Sequence, residues 1–507
     1  MSVHQHAAPA LIIACPLITS FVLPLLGRWD RRVVLPVTLT ALIASSIGSV
    51  TAAHIVLTQG PMDYFWGGWE PPWGIAFRID HLAALMLLLL CVIALAIAIF
   101  SHRSILKERP DSYVLFYTVY LLLISGLLGI VTTADLFNLY VFLEIASIAS
   151  YALVSLGSGS AVVSAFRYVI LGTIGAAFYL LSVGYFYSVT GSLNMEDLAH
   201  LLPELYSSNA VRVGFAFFVV GMAIKMALFP MHSWLPGAYT DAPSAVSALI
   251  SATTTKVAAY ILLRVSFFVF EPQFFVHFFP VATLLTWMGA IAMVLGSILA
   301  ISQSDLKRML AYSSVAQIGY IVLGLGLANE MSLTGSLLHL VNHALTKGGL
   351  FLVVGAIIYH TGLRDIQQLR NLARRMPWTA AAFTLAAGSI IGIPPFGGFF
   401  SKLYLILGAI NSGQWGLIGA VLLSSLLALF YFSNVIRYLY LSPKSSENDS
   451  HEELLDEKVH LLRHDNVPLS MLVPMIILIT GTIFLGLFNG SIVSSFIEPI
   501  VPESILQ

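Results

Sequence analysis

Fourteen long apolar stretches run through this chain, and nothing else in it restricts the fold so severely. They lie roughly at 9–27, 33–57, 80–101, 112–131, 134–156, 161–188, 211–238, 243–269, 276–301, 306–328, 331–360, 378–410, 415–440 and 468–497. About twenty apolar residues of helix cross the hydrocarbon of a bilayer. Within lipid only a helix or a closed barrel satisfies its own backbone, and barrel strands are about ten residues long with alternating character. Stretches this long and this uniform predict an all-α polytopic membrane protein with about fourteen transmembrane helices. The charge content agrees: 10% of residues are charged, against about a quarter in soluble domains.

Positive charge then sets direction. Of 24 Lys and Arg residues, 16 fall in loops after odd-numbered spans, whereas Arg78 and Arg212 alone fall after even-numbered ones. The positive-inside rule predicts a multi-pass protein of a prokaryotic cell (inner) membrane with both termini outside. The remaining six, Arg167, Lys225, Lys256, Arg264, Lys347 and Lys402, lie within spans. In the inner loop at 363–377, LRDIQQLRNLARRM has the pattern of an amphipathic helix lying at the membrane surface. The opening MSVHQHAAPA lacks the positive region of a cleavable signal peptide.

Several classes drop out. With a net charge of −1, no bulk field points to nucleic acid. Cys15 and Cys91 sit in separate apolar runs as packing residues, without CxxC or a Cys/His cluster, so no iron–sulfur or zinc site is expected. Nucleotide and flavin motifs are absent too. The expectation is a transporter subunit rather than an enzyme, without a cofactor or metal of its own, so that any redox energy comes from partner subunits.

Two spans are broken by proline. KMALFPMHSWLP places Pro230 and Pro236 in span 7, and GIPPFGGFF places Pro394 and Pro395 in span 12. Proline removes a helix donor and clashes with the preceding turn, and such breaks persist in lipid only where protein or a wet cavity serves the freed groups. Spans 4–8 and 9–13 form two blocks of five, each with its broken helix fourth, and an odd number of spans reverses the second block. Paired breaks of this kind point to an inverted-repeat transporter. The expected organisation is 1–111 for spans 1–3, 112–269 and 276–440 for the two repeats, 441–467 for a cytoplasmic linker, and 468–507 for the last span and C-terminus.

A charge near the bilayer centre costs at least about 2.5–3.5 kcal/mol, so ionisable residues there are functional candidates. Glu144 is midway along span 5, Lys225 precedes the first break, Lys256 is mid-span 8, and Lys402 follows the second break. His339, His343 and Lys347 stand at i, i+4 and i+8 on one face of span 11. Each has a plainer reading. Glu144 and Lys225 can be a structural ion pair; the histidines can be a polar pair between helices or ligands of a metal or haem. Arg264 and Arg167 read as side chains that snorkel to the interface. Four lysines at membrane depth against one clear buried acid, Glu144, are harder to explain structurally, because burial disfavours the charged form of an amine. Hydroxyls beside Lys256 (Ser247, Ser251, Thr253, Thr254, Thr255) can both donate and accept. Together these groups read as a proton relay through the membrane centre.

DLFNLYVFLEIASIASYALV, KMALFPMHSWLPGAYTDAPSAVSALISATTTKVAAYILLR, HLVNHALTKGGLFL and GIPPFGGFFSKLYLIL carry a resemblance over essentially the whole chain. It resembles the antiporter-like, proton-translocating subunits of respiratory complex I. Through the Glu144 segment and SVTGSLNMEDLA it looks closest to the D-type subunit of Mrp-type multisubunit cation/proton antiporters, with the equivalent subunit of membrane-bound hydrogenases similar. The resemblance implies that Glu144 pairs with Lys225, that Lys256 passes protons to the centre, that His339, His343 and Lys347 connect the halves, and that Lys402 is the terminal lysine, where some complex I relatives carry glutamate. It also implies partners: other membrane subunits of a hetero-oligomeric complex, with protons and sodium as transported ions. The alternative is a proton-pumping subunit of a complex I-like NADH:quinone oxidoreductase or a membrane-bound hydrogenase.

Overall fold

The structure is a computed structural model and describes residues 8–441, 467–502 and 505. All but the end residues of the linker expected at 441–467, with Lys444, Lys458 and Arg463, lie outside the described residues. In chain order the helices are α1 (Ala8–Trp29), α2 (Val34–Gln59), α3 (His81–Glu108), α4 (Tyr113–Thr132), α5 (Leu136–Ser155), α6 (Ala161–Thr190), the short α7 (Met195–Leu201), α8 (Asn209–Met226), α9 (Trp234–Asp241), α10 (Ser244–Ala252) and α11 (Thr254–Arg264). They continue with α12 (Val281–Ile301), α13 (Leu306–Leu327), α14 (Glu330–Thr361), α15 (Pro377–Ile391), α16 (Gly397–Asn411), α17 (Trp415–Leu441) and α18 (Leu469–Leu487). Among the described residues, 13 helical segments are long and apolar enough to cross a membrane. The remaining expected span is the broken pair α15–α16. Among the described residues one antiparallel hairpin, β1 (Met62–Phe65) and β2 (Ala76–Ile79), caps the end of the bundle opposite the Lys/Arg-rich loops.

Burial is uneven. The α10–α11 span, α13 and α14 are almost wholly enclosed, whereas α1 and α17 expose most of their length. Lys256, His339, His343 and Lys347 ride on these enclosed helices, where protein rather than lipid surrounds them. Close crossings build this centre. A Cβ added to Gly289 of α12 would lie 2.7 Å from the Gly319 carbonyl oxygen of α13, and one added to Gly319 would lie 2.5 Å from the Gly289 carbonyl. Small residues let membrane helices approach backbone to backbone.

Both expected breaks are present, and both end in a left-handed residue. After α8, Ala227 has φ 57°, its N–H meets the Ile224 carbonyl, and the Leu228 N–H reaches back to the Ala223 carbonyl at 2.9 Å. That double return is a Schellman closure, and the Trp234 indole N–H also donates to the Ile224 carbonyl at 2.9 Å. After α15, Gly392 (φ 92°) does the same work, with Ile393 N–H donating to the Gly388 carbonyl at 3.0 Å. Pro230 lies in the first break, and Pro394 and Pro395 lie in the second. Pro236 is a correction: it sits in the first turn of α9, where the N–H that proline lacks would have no helical partner, so it breaks nothing.

Three further differences arise. Span 8 is itself interrupted at Thr253 (φ −119°, ψ −61°), with no proline or glycine at the site. Segment 363–377 forms two short 3-10 turns, Ile366–Leu369 and Leu372–Arg374, in place of a surface helix, because Ile366, Leu369 and Leu372 are buried against the bundle. Arg264 does not snorkel. It is buried on α11, donates in a fork to Asp80 at the start of α3 (Nη2 to Oδ1, 2.7 Å), and bonds the Tyr260 hydroxyl.

Candidate functional site

Glu144 stands one turn before Ser147 on α5, and both face the end of α8. The Lys225 Nζ lies 3.9 Å from Glu144 Oε1 and donates to Ser147 Oγ at 2.7 Å. The pair is loose: the lysine's close bond goes to the hydroxyl, and Glu144 Oε1 has no hydrogen-bond partner among the described residues. Lys225 is the penultimate residue of α8, so the break begins two residues beyond it, at Ala227, rather than about five.

The other lysines meet no acid. Among the described residues none of Lys256, Lys347 and Lys402 has a carboxylate within 4.0 Å. Lys256, just past the Thr253 interruption, turns back to donate to the Ser251 carbonyl at the end of α10. Lys347 on α14 donates to the Leu310 carbonyl and to Ser313 Oγ of α13, each at 2.9 Å. Lys402 on α16 donates to the Ile390 and Ile391 carbonyls at 2.8 and 3.1 Å, and to Ser425 Oγ at 2.9 Å. Those carbonyls end α15, where a helix leaves its last acceptors without intrahelical donors. The lysine thus caps the broken helix from the other side of the break.

Two histidines lie between these lysines. His339 bonds Ser401 Oγ through Nδ1 at 2.9 Å and the Gln317 side-chain oxygen through Nε2 at 3.1 Å. Its ring packs 5.0 Å from that of Tyr320, over which the Lys402 Nζ sits at 4.7 Å. The fully buried His343 lies 6.2 Å further along, ring to ring, and neither of its nitrogens has a hydrogen-bond partner among the described residues. Lys256 and Lys347 both act on His343 electrostatically, and Lys402 acts on His339. The expected residues therefore fall into two groups: Glu144 with Lys225, and a cluster in which Lys402 lies by His339, His343 comes next along α14, and Lys256 and Lys347 lie nearest His343. Among the described residues no three His, Cys, Asp or Glu side chains are placed to hold a metal ion.

Ser147, Ser313, Gln317, Tyr320 and Ser425 complete this geometry. Neutral and embedded in apolar sequence, they carry no charge signal. The signal available was spacing: Ser313, Gln317 and Tyr320 follow one another at helical intervals on α13 and meet the row on α14. A cavity of about 380 Å³ lies elsewhere, at the hairpin end, lined by Arg78, Asp80, Glu196 and Arg264.

A family model described as NADH:quinone oxidoreductase/Mrp antiporter, TM, matches residues 133–428. The chain is 45% identical to the N-type subunit of the NADH-quinone oxidoreductase of Desulforudis audaxviator, over 97% of this chain and 98% of that one. It is 34% identical to the D-type subunit of the Na(+)/H(+) antiporter of Alkalihalophilus pseudofirmus, over 88% and 87% of the two chains. A chain in the structure of the membrane-bound sulfane sulfur reductase, an archaeal respiratory membrane complex, superposes with a TM-score of 0.88 at 30% identity, over 98% of both chains. By sequence and by fold, this chain belongs to the family of transmembrane subunits shared by NADH:quinone oxidoreductases and Mrp antiporters.

Proposed function

We propose that this chain is the proton-translocating subunit of a multisubunit Mrp-type antiporter that exchanges monovalent cations, sodium among them, for protons. The observation that carries the reading is the row of buried lysines and histidines that have no carboxylate partner among the described residues. A purely structural role would favour paired charges there, because an unpaired buried charge is strongly destabilising. A group that cycles between protonation states has reason to be served by carbonyls and hydroxyls instead. The blocks 112–269 and 276–440 are read as inverted repeats, each supplying a half-channel and a broken helix. Glu144 and Lys225 form the switch; Lys256 and Lys347, then His343, His339 and Lys402, form the row along which the proton passes. At 3.9 Å and an effective dielectric near 20, the pair interacts with on the order of 4 kcal/mol, comparable with the roughly 2.3 kcal/mol that one charge costs against 100 mV.

The chain itself performs no covalent chemistry in this reading, and its partners supply the driving ion or redox step. In sealed vesicles the isolated chain should exchange little or nothing, while the assembled complex exchanges sodium for protons and loses that ability when this chain is omitted. Full exchange by the isolated chain would overturn the proposal. A second reading, a proton-pumping subunit of a redox-driven complex, is favoured by the 45% identity with a protein named as part of a quinone oxidoreductase. Proton movement that follows quinone reduction and ignores an imposed sodium gradient would select it.

Orientation follows from the Lys/Arg asymmetry: in a cell membrane, both termini outside. Single cysteines at 363–377, in a background lacking Cys15 and Cys91, should react with an impermeant reagent from the cytoplasmic side only. Labelling in intact cells would reverse the assignment.

A further inference from the structure

We propose that Ser147 is the second partner of Lys225, the one that holds the lysine while its pair with Glu144 is open, and that Tyr151, Tyr168 and Trp234 brace α5 against the first break so that the two partners stay alternatives. The proposal rests on the switch reading above. It starts from a hydroxyl that behaves unlike its neighbour. Mid-helix serines often bond back to the carbonyl one turn earlier. Ser150, also on α5, does so, donating to Ala146 at 2.8 Å. Ser147 is buried as well, yet among the described residues its hydroxyl meets no backbone carbonyl and instead accepts from Lys225 Nζ at 2.7 Å.

Glu144 lies three residues earlier on the same face of α5. Its Oε1 is 3.9 Å from the same Nζ and has no hydrogen-bond partner among the described residues. A charge-assisted bond brings nitrogen and oxygen to about 2.8 Å, so about 1 Å of side-chain movement separates one partner from the other. The partners differ in what they reward. A nearby carboxylate favours the charged lysine. A hydroxyl accepts from an ammonium and can donate to a neutral amine, so a lysine resting on Ser147 can give up its proton and keep its place.

A closed ring of contacts fixes Ser147 there, leaving α8 at Ile224 and returning at Lys225. The Trp234 indole N–H of α9 donates to the Ile224 carbonyl at 2.9 Å. The Trp234 ring lies flat on Tyr168 of α6, with centroids 4.0 Å apart and planes 2° from parallel. Tyr168 meets Tyr151 of α5 edge-on at 4.6 Å and 77°. Tyr151 stands one turn beyond Ser147, and its hydroxyl interacts with Ser147. A Cβ added to Gly172 of α6 would lie 1.9 Å from that hydroxyl, so the glycine leaves it room. One turn before Lys225, α8 also touches α6 backbone to backbone: a Cβ on Gly221 would lie 2.7 Å from the Gly175 carbonyl oxygen. Rings, carbonyls and a tight helix crossing make the frame stiff, whereas Lys225 ends in a flexible four-carbon stem. The lysine moves and its two partners do not.

The test uses the assembled complex in sealed vesicles and sets two opposite biases against each other. Ser147→Ala removes the open-state partner, leaves Lys225 on Glu144, and should slow proton movement about tenfold with assembly unchanged. Ser147→Thr keeps a hydroxyl and should recover most of the rate. Glu144→Asp shortens the acid by one carbon, draws it back from Lys225, and should slow proton movement by leaving the lysine on Ser147. Ser147→Ala combined with Glu144→Asp weakens both partners and should run faster than either single variant. For a purely structural hydroxyl the two losses would multiply. The proposal is overturned if Ser147→Ala moves protons at the wild-type rate, if Ser147→Thr fares no better than Ser147→Ala, or if the double variant is no faster than the better single one. Transport by Lys225→Ala would instead overturn the switch itself. If Ser147→Ala fails to assemble, Trp234→Phe takes its place, keeping a ring on Tyr168 and removing the donor to the Ile224 carbonyl: movement several-fold slower supports the brace, and an unchanged rate rejects it.

Discussion

In the first half of the bundle Lys225 faces a carboxylate 3.9 Å away; in the second, Lys402 faces none among the described residues and rests on two backbone carbonyls and a hydroxyl. The two lysines stand on opposite sides of their breaks, one closing α8 and the other opening α16. The surroundings differ in what they respond to. A charge partner makes the energy of Lys225 depend on whether Glu144 is ionised and near. Carbonyls accept from an ammonium and from a neutral amine alike, so Lys402 keeps its place whether or not it carries a proton. The first arrangement suits a switch, and the second suits a station that is filled and emptied.

The largest effect should come from breaking the switch. Glu144→Gln and Lys225→Ala should each abolish transport while expression stays near normal. If the pair were only structural, Glu144→Gln combined with Lys225→Met should restore both assembly and transport, since a pair removed whole leaves no uncompensated charge. In the proposed mechanism the double variant assembles and remains inactive. Proton flux and complex assembly measured side by side decide it, and an active double variant removes both residues from the mechanism.

A smaller effect should expose the capping role of the station. Lys402→Met should stop proton movement and also leave the Ile390 and Ile391 carbonyls without their donor. An unmet buried acceptor costs about 1–3 kcal/mol, so thermal unfolding in detergent should occur at lower temperature than in wild type. Lys402→Gln, which keeps an N–H donor, should recover part of that stability and none of the transport. Equal stability of the two variants would mean that Lys402 does not cap α15.

The smallest effect belongs to a partly exposed ion pair. Asp63, on the hairpin, lies 3.8 Å from Arg78. Burial pushes its carboxyl above the ordinary range, and the Arg78 charge opposes this without overcoming it. The folded state then holds the Asp63 proton more tightly than the unfolded chain does. Ionisation therefore costs stability above the folded-state value, and the cost fades as pH falls towards the unfolded value, about 4. Asp63→Asn should raise stability at pH 7 by no more than about 0.5 kcal/mol, with the gain vanishing near pH 4. A loss at pH 7 would show that Arg78 dominates.

Much of this was readable from the residues because lipid punishes charge and broken helices. Glu144, Lys225, Lys256, His339, His343, Lys347 and Lys402 stood out as ionisable groups in apolar runs, and the breaks near Pro230 and Pro394 stood out as proline. What escaped carried no such penalty. Pro236 looked like a breaker because its position in a first turn depends on where α8 stops. The Thr253 interruption has neither proline nor glycine, and arises where Thr253 departs from helical geometry between α10 and α11. Lys307 looked like a loop cation because linear order puts it beside exposed residues, whereas folding lays the end of α9 over it. Arg264 looked like a snorkelling end residue because its partner, Asp80, is 184 positions away.

Helix α13 runs unbroken, as α12 and α14 beside it do, through the same membrane in which spans 7, 8 and 12 are cut. It supplies Leu310 and Ser313 to Lys347, Gln317 to His339, and Tyr320 to both His339 and Lys402. The contacts of three side chains in the row are thus phased by one rigid screw. A single residue inserted before Leu310 would turn every one of them by about 100° and advance them by about 1.5 Å together, with no hinge to absorb the error. The same insertion in the loop after α14 would be taken up by 3-10 turns. Length variation between relatives should therefore be tolerated at the ends of α13 and forbidden within it, as in a key whose teeth are all cut from one blank.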